Sequence, residues 1–286
     1  MTKIKIYIHY LMPKRLLTVC IGLFASSQLG KLTTLAIKYF VKFYNINTRE
    51  IKGKITDYKT FNDFFARELK SKARPIDNSQ LSLVYPADGR ISQFGDLISD
   101  IQIQAKGHYF STAALLGNDN DSKIFKDGKF ITTYLSPRDY HRVHIPLDGK
   151  LLKMTYIPGE LFSVNPLYTQ NIPELFARNE RVVCIFDTPG GKMAVVLVGA
   201  TIVRSITTKW AGIIAPNASK TIKSWDYKKE NISFKKGDEI GKFTMGSTVI
   251  CLFEKGKISF SDDMRLEQHV LVGQAMAQIS SKTKKK

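Results

Sequence analysis

Met193-Ala194-Val195-Val196-Leu197-Val198-Gly199-Ala200-Thr201-Ile202-Val203-Arg204-Ser205-Ile206 is a run dominated by β-branched and aliphatic residues, and it reads as extended chain. Outward from it the same pattern recurs. Phe130 to Leu135, Leu151 to Ile157, Arg181 to Phe186 and Thr248 to Phe253 are short apolar runs separated by Gly, Pro, Asp and Asn. From Val84 onward the chain is therefore predicted to be strand-based, with Ile172 to Asn179 as the best short helix. No fixed-period repeat interrupts this organisation.

Toward the N-terminus the pattern changes to a helical one. Leu32, Leu35, Ala36, Tyr39, Phe40 and Phe43 share one helical stripe that Lys31, Lys38 and Lys42 avoid. Thr60 to Leu69 reads as one more short helix before the turn-like Ala73-Arg74-Pro75-Ile76-Asp77. The fold class is thus α+β: a helical N-terminal membrane-association region, 1–74, packed on a mostly antiparallel β catalytic domain, 75–286. With 286 residues, 43% of them hydrophobic, the chain can bury a sizeable core.

The formal charge is +18, which implies attraction to something anionic. Fifteen Lys and Arg against four Asp and Glu give residues 1–74 a net +11, and Lys282, Lys284, Lys285 and Lys286 add to it at the other end. The excess sits on terminal segments, as expected of a surface-docking device. Between Arg15 and Lys31 lie 15 uncharged residues, fewer than the ~20 a membrane-crossing helix needs. This segment can be read as a signal peptide, but its flanks and length fit better a helix lying on an anionic membrane surface. The 32–43 stripe taken alone fits an ordinary core-facing helix equally well. Cys20, Cys184 and Cys251 are odd in number and scattered, which suggests neither a disulfide framework nor a zinc knuckle.

Three segments could carry chemistry. His141 and His144 stand in Tyr134-Leu135-Ser136-Pro137-Arg138-Asp139-Tyr140-His141-Arg142-Val143-His144, directly after a predicted strand. Histidine exchanges protons near neutrality, although one of the pair could equally serve as a backbone hydrogen-bond partner. Asp88 lies in the turn Tyr85-Pro86-Ala87-Asp88-Gly89-Arg90, where aspartates usually bond their own backbone. Gly246-Ser247-Thr248 leads into the last strong apolar run, without the G-x-S-x-G setting of a nucleophile elbow.

Taken together, the Pro-Ala-Asp-Gly turn at 86–89, the Ser-Pro-Arg-Asp-Tyr-His-Arg-Val-His run at 136–144, Phe-Ser-Val-Asn at 162–165 and Gly-Ser-Thr at 246–248 resemble the bacterial, membrane-associated, pyruvoyl-dependent phosphatidylserine decarboxylase proenzymes. Phe176 to Arg181 and Val198 to Val203 extend the resemblance over nearly the whole chain; Met245 departs from it, where Leu is usual. The resemblance implies that Asp88, His144 and Ser247 form a charge relay for self-cleavage between Gly246 and Ser247, giving a β chain, 1–246, and an α chain, 247–286. Ser247 then becomes the covalent pyruvoyl cofactor, which forms a Schiff base with phosphatidylserine and yields phosphatidylethanolamine. His144 is the first choice as proton donor and His141 its supporting alternative. Neither pyridoxal phosphate nor a metal is implied. The location implied is peripheral, on the cytoplasmic face of the cell membrane, and a homodimer of the αβ unit is compatible.

Two rival readings stand beside this one. Asp139, His141, His144 and His108 could ligate a metal in a hydrolase, although His-x-x-His without an intervening Glu does not demand it. The charge alone would also suit a basic binding module, but no nucleic-acid motif is present, so nucleic acid is not expected as a partner.

Overall fold

Helices α1 (Thr2–Leu11), α2 (Lys14–Ser26), α3 (Lys31–Tyr44) and α4 (Phe61–Phe65) precede an almost wholly stranded remainder. The computed structural model describes residues 2–105, 107–201, 205–215, 220–244 and 247–280. The α+β class expected from the sequence is the one observed, with antiparallel pairing in every sheet.

Helix α3 runs until Asn45 turns left-handed at φ 51°, a common way for a helix to end. Its apolar stripe divides between two surroundings. Ile37 is completely buried, and the Phe40 ring meets Phe61 edge-on at 5.0 Å, whereas Leu35, Tyr39 and Phe43 are at least 60% exposed. The inner face joins α4 in a small core of Ile37, Ile46, Ile51 and Phe64, apart from the large core of the β region.

Helix α4 is shorter than the 60–69 span expected. A capping box starts it: Thr60 Oγ1 accepts from the Asp63 amide at 3.0 Å and Asp63 Oδ2 accepts from the Thr60 amide at 3.2 Å. It stops at Phe65 because the next residues are claimed by other partners. Arg67 donates to the carbonyls of Arg138 and Asp139, and Leu69 bridges to Ile51.

The central strand of a nine-stranded sheet is Ser247–Phe253, between Gly191–Val198 and Lys129–Leu135, and all seven of its residues are buried. Covered on both faces, it can be apolar without alternation, which is why it stands out in the sequence. Each such fully buried Val, Ile, Leu or Phe contributes about 1.5–3 kcal/mol relative to exposure. Gly149–Ile157 and Arg181–Thr188 extend one side of the sheet and Gly89–Asp96 the other.

The long run quoted first, Met193 to Ile206, is not one strand. It leaves the nine-stranded sheet after Val198, and Ser205–Thr208 belongs instead to a four-stranded sheet with Gly212–Ala215, Glu239–Thr244 and Arg142–His144. The break falls where the Gly199 amide donates to Glu180 O and the Gly199 carbonyl accepts from Asn179 Nδ2, so backbone pairing is diverted from the sheet. Residues 202–204, which include Ile202 and Val203 of the Val198 to Val203 motif, lie outside the described residues. Likewise the helix expected over Ile172 to Asn179 is only Leu175–Arg178. Pro173 disfavours helical backbone at Ile172, and Glu174 enters left-handed at φ 55°.

Candidate active site

The chain passes from the four-stranded sheet to the nine-stranded one between Thr244 and Ser247, so Ser247 stands at the head of the central strand, opposite Leu135. Gly246, the expected cleavage partner, and Met245 lie outside the described residues. Ser247 is fully buried, and its Oγ has no hydrogen-bond partner among the described residues. A buried hydroxyl without a partner loses its hydration uncompensated, and such groups concentrate where chemistry needs them free.

The strand Lys129–Leu135 that pairs with Ser247 runs directly into the Ser136–His144 segment. There Asp139 Oδ2 accepts from the Ser136 amide at 2.8 Å and from Ser136 Oγ at 2.6 Å, closing a tight turn. His141 follows, anchored where its carbonyl accepts from the Phe243 amide at 2.9 Å. Its Nδ1 lies 2.9 Å from the Asp139 carbonyl oxygen. A carbonyl can only accept, so Nδ1 carries the proton and Nε2 keeps its lone pair. That Nε2 is buried and unpartnered among the described residues, and the ring packs 4.2 Å from Phe65 of α4. Burial pushes the His141 pKa down to about 3, which keeps the ring neutral.

His144 has the same tautomer by the same logic. Its Nδ1 donates to the Gly237 carbonyl at 2.7 Å, and its Nε2 accepts from the Tyr140 hydroxyl at 3.3 Å. Burial lowers its pKa, partly offset by the Gly237 bond and by the charges of Glu239 and Asp88, while Arg142 adds to the lowering. Both histidines therefore present a neutral ring whose Nε2 can take a proton.

Asp88 comes close through the backbone, since the His144 amide donates to Pro86 O at 2.8 Å. Its turn lies hard against the Lys129–Leu135 strand: a Cβ at Gly89 would stand 2.3 Å from the Tyr134 carbonyl oxygen, so glycine is required there. The Asp88 carboxylate itself accepts from Arg74 Nε and from the Val272 amide, each at 2.9 Å. The orienting bond to His144 Nδ1 comes from Gly237 instead. The structure thus gathers Asp88, His141 and His144 beside the strand that leads to Ser247, with the Asp88 charge acting on His144 through space.

Several residues of this arrangement were not singled out in the sequence. Arg74 is read from the sequence only as part of a turn, and Gly237, Arg67 and Tyr140 are assigned no role there. The charged side chains of Arg74 and Arg67 carried a weak signal; a carbonyl such as that of Gly237 carried none. The Phe162 to Asn165 stretch is a loop. It is held by Asn179 at Phe162 and by His9 of α1, whose Nε2 accepts from the Ser163 amide at 3.1 Å.

The metal reading finds no ligand set: among the described residues no three His, Cys, Asp or Glu side chains converge on one point, and His108 Nε2 is on the Gln170 carbonyl. A cavity of about 450 Å3 opens beside the strand Glu239–Thr244, walled by Lys242 and Thr244 on one side and by residues 52–68 on the other.

The family model described as phosphatidylserine decarboxylase matches residues 61–278, and a second, described as PSD, matches residues 4–45. A phosphatidylserine decarboxylase proenzyme of Shewanella amazonensis is 50% identical over 285 residues, which is 98% of this chain and 99% of that protein. One of Vibrio vulnificus is 52% identical over 278 residues, covering 96% of this chain and 98% of its own. One of Alteromonas mediterranea is 52% identical over 264 residues, 91% of this chain and 81% of that one. With the family model spanning residues 61–278 and such relatives aligned nearly end to end, the chain is a decarboxylase that belongs to the phosphatidylserine decarboxylase family.

Proposed function

We propose that this chain converts phosphatidylserine to phosphatidylethanolamine after cutting itself between Gly246 and Ser247. The observation that carries the reading is the buried, unpartnered Ser247 Oγ at the head of the central strand, next to a segment holding two neutral histidines. Substrate and reaction follow the names of the relatives.

In self-cleavage Ser247 Oγ attacks the Gly246 carbonyl carbon and His144 Nε2 accepts the hydroxyl proton. The amide C–N bond breaks as the ester C–O bond forms, and the Ser247 nitrogen leaves as a free amine. Loss of the Ser247 Cα proton then expels the Gly246 carboxylate and leaves dehydroalanine, whose imine tautomer takes up water and releases ammonia. Gly237 O holds the imidazole in the required tautomer, and the Asp88 charge favours the imidazolium that forms, the role of the acid in a triad.

When present, the pyruvoyl group supplies a ketone for the substrate amine and an electron sink for the loss of carbon dioxide, so no pyridoxal phosphate is needed. The chain's own task is to return a proton to the former α-carbon. His144 is assigned that step, with His141 as the alternative.

The reading extends to location. Leu35, Tyr39 and Phe43 of α3, Leu16, Val19, Leu23 and Phe24 of α2, and Tyr7 and Leu11 of α1 are exposed, and basic residues accompany them. Such a surface suits peripheral docking on the anionic cytoplasmic face of the cell membrane. Among the described residues no single helix is long and apolar enough to cross a membrane; the α1–α2 pair reaches that length only across an 81° bend.

The test is the intact mass of the denatured protein with mapping of its C-terminal fragment. Two chains split after Gly246, the shorter blocked by a pyruvoyl group, are expected, together with decarboxylation of phosphatidylserine vesicles. A single 32.3 kDa chain that decarboxylates them without splitting overturns the self-cleavage.

A further inference from the structure

We infer that Lys242 binds the phosphodiester of the lipid substrate, in the cavity of about 450 Å3 that separates residues 52–68 from the strand Glu239–Thr244. This assignment rests on the proposed function and names a substrate contact within it.

The wall of this cavity carries three cations, Lys52, Arg142 and Lys242, and two carboxylates, Asp63 and Glu68. Two of the cations are spent. Lys52 Nζ pairs with Glu68 at 2.7 Å, and Arg142 Nη1 pairs with Glu239 at 2.8 Å and with Glu68 at 3.3 Å. Both carboxylates are spent as well, Glu68 on those cations and Asp63 on the Thr60 amide of the capping box. Lys242 is the one cation among them with no ion pair among the described residues, and it is half-buried. A half-buried ammonium with no carboxylate in ion-pair range among the described residues, in a cavity whose wall carries one net positive charge, suits an anion from outside the chain.

Position identifies which anion. Residues alternate faces along a strand, so Lys242 and Thr244 look into the cavity while Gly241 and Phe243 are buried on the other side. Three residues of chain lead from Thr244 to Ser247, so their Cα atoms are at most about 11 Å apart. The opposite wall belongs to the region that carries the exposed apolar helices. A lipid seated there would direct its amine toward residue 247 and leave its phosphodiester one short headgroup away, within reach of a lysine stem. The carboxylate of the same substrate must stay beside the amine, at the reacting carbon, so Lys242 is assigned to the phosphodiester.

The experiment uses the full-length chain with phosphatidylserine in nonionic mixed micelles. Lys242→Gln should still split after Gly246 by intact mass, raise KM roughly tenfold and leave kcat within about twofold, the signature of lost uniform binding. Lys242→Arg should restore most of the affinity. Glycerophosphoethanolamine, which carries the phosphodiester but no carboxylate, should inhibit the wild type, and Lys242→Gln should weaken that inhibition about as much as it raises KM. An unchanged KM, an inhibition that Lys242→Gln leaves intact, or an unsplit Lys242→Gln chain beside a split wild type each overturns the assignment alone. A wild type that neither splits nor decarboxylates overturns the proposed function, and this assignment with it.

Discussion

Arg74 holds Asp88 in a fork, with Nε 2.9 Å from each carboxylate oxygen and Nη2 2.5 Å from Oδ2. Asp88 is almost wholly buried, and Arg74 and the Val272 amide take the place of its water.

Removing one member of that pair should therefore be costly. Arg74→Gln is expected to destabilise the chain by about 3–5 kcal/mol, because it strands a buried carboxylate. Urea unfolding of the uncut Ser247→Ala chain with and without the substitution measures this free of the cleavage itself.

Asp88→Asn keeps the shape but removes the charge that favours the His144 imidazolium. Self-cleavage should slow, followed as the time course of splitting after synthesis, and a wild-type rate would confine Asp88 to a structural role with Arg74.

The two histidines should separate in their effects. His144→Ala is expected to remain one chain, since the loss of a positioned base costs roughly 100- to 10,000-fold. If His141 delivers a proton only in the second reaction, His141→Ala splits yet decarboxylates slowly; a His141→Ala chain that stays whole would place His141 in the cleavage. Mass and carbon dioxide release from the same samples read both.

Acid should act through these rings with a definite sign. The folded-state pKa of His141 is about 3 against 6.5 in the unfolded chain, so the folded chain binds fewer protons between those values. Its contribution to stability is fully present above pH 6.5 and falls by about 1.4 kcal/mol for each pH unit below that, down to about pH 3. His141→Gln in the Ser247→Ala chain should flatten the dependence over this window. For His144 the lowered pKa moves the acid limb of self-cleavage below pH 6.5, and Arg142→Gln should move it back upward, because the Arg142 charge is one cause of the lowering.

Helix α3 offers a contrast between two faces. Tyr39→Ser with Phe43→Ser, both on the exposed side, should cut flotation with anionic vesicles at least roughly tenfold and leave splitting intact. Ile37→Ala, on the buried side, should cost about 2–5 kcal/mol of stability. Equal vesicle binding by the double variant would remove this face from the docking surface.

The strands Phe130 to Leu135, Leu151 to Ile157, Arg181 to Phe186 and Thr248 to Phe253 were legible because strands buried mostly on both faces are rich in apolar and β-branched residues, and composition reports that locally. The motifs around Asp88, His144 and Ser247 stand out through their resemblance to a known family, since each alone also fits a plain turn or loop. Composition could not say that Met193 to Ile206 is divided between two sheets, because Gly199 is turned out of its strand by Asn179 and Glu180, which a sequence reading has no reason to connect with it. Nor could it pair Arg74 with Asp88, or choose Gly237 out of all the backbone carbonyls to orient His144. Apolar character belongs to a residue and is written into the sequence at its position. A hydrogen bond belongs to a pair, and its second member is settled only when the register of the sheets brings distant segments within about 3 Å.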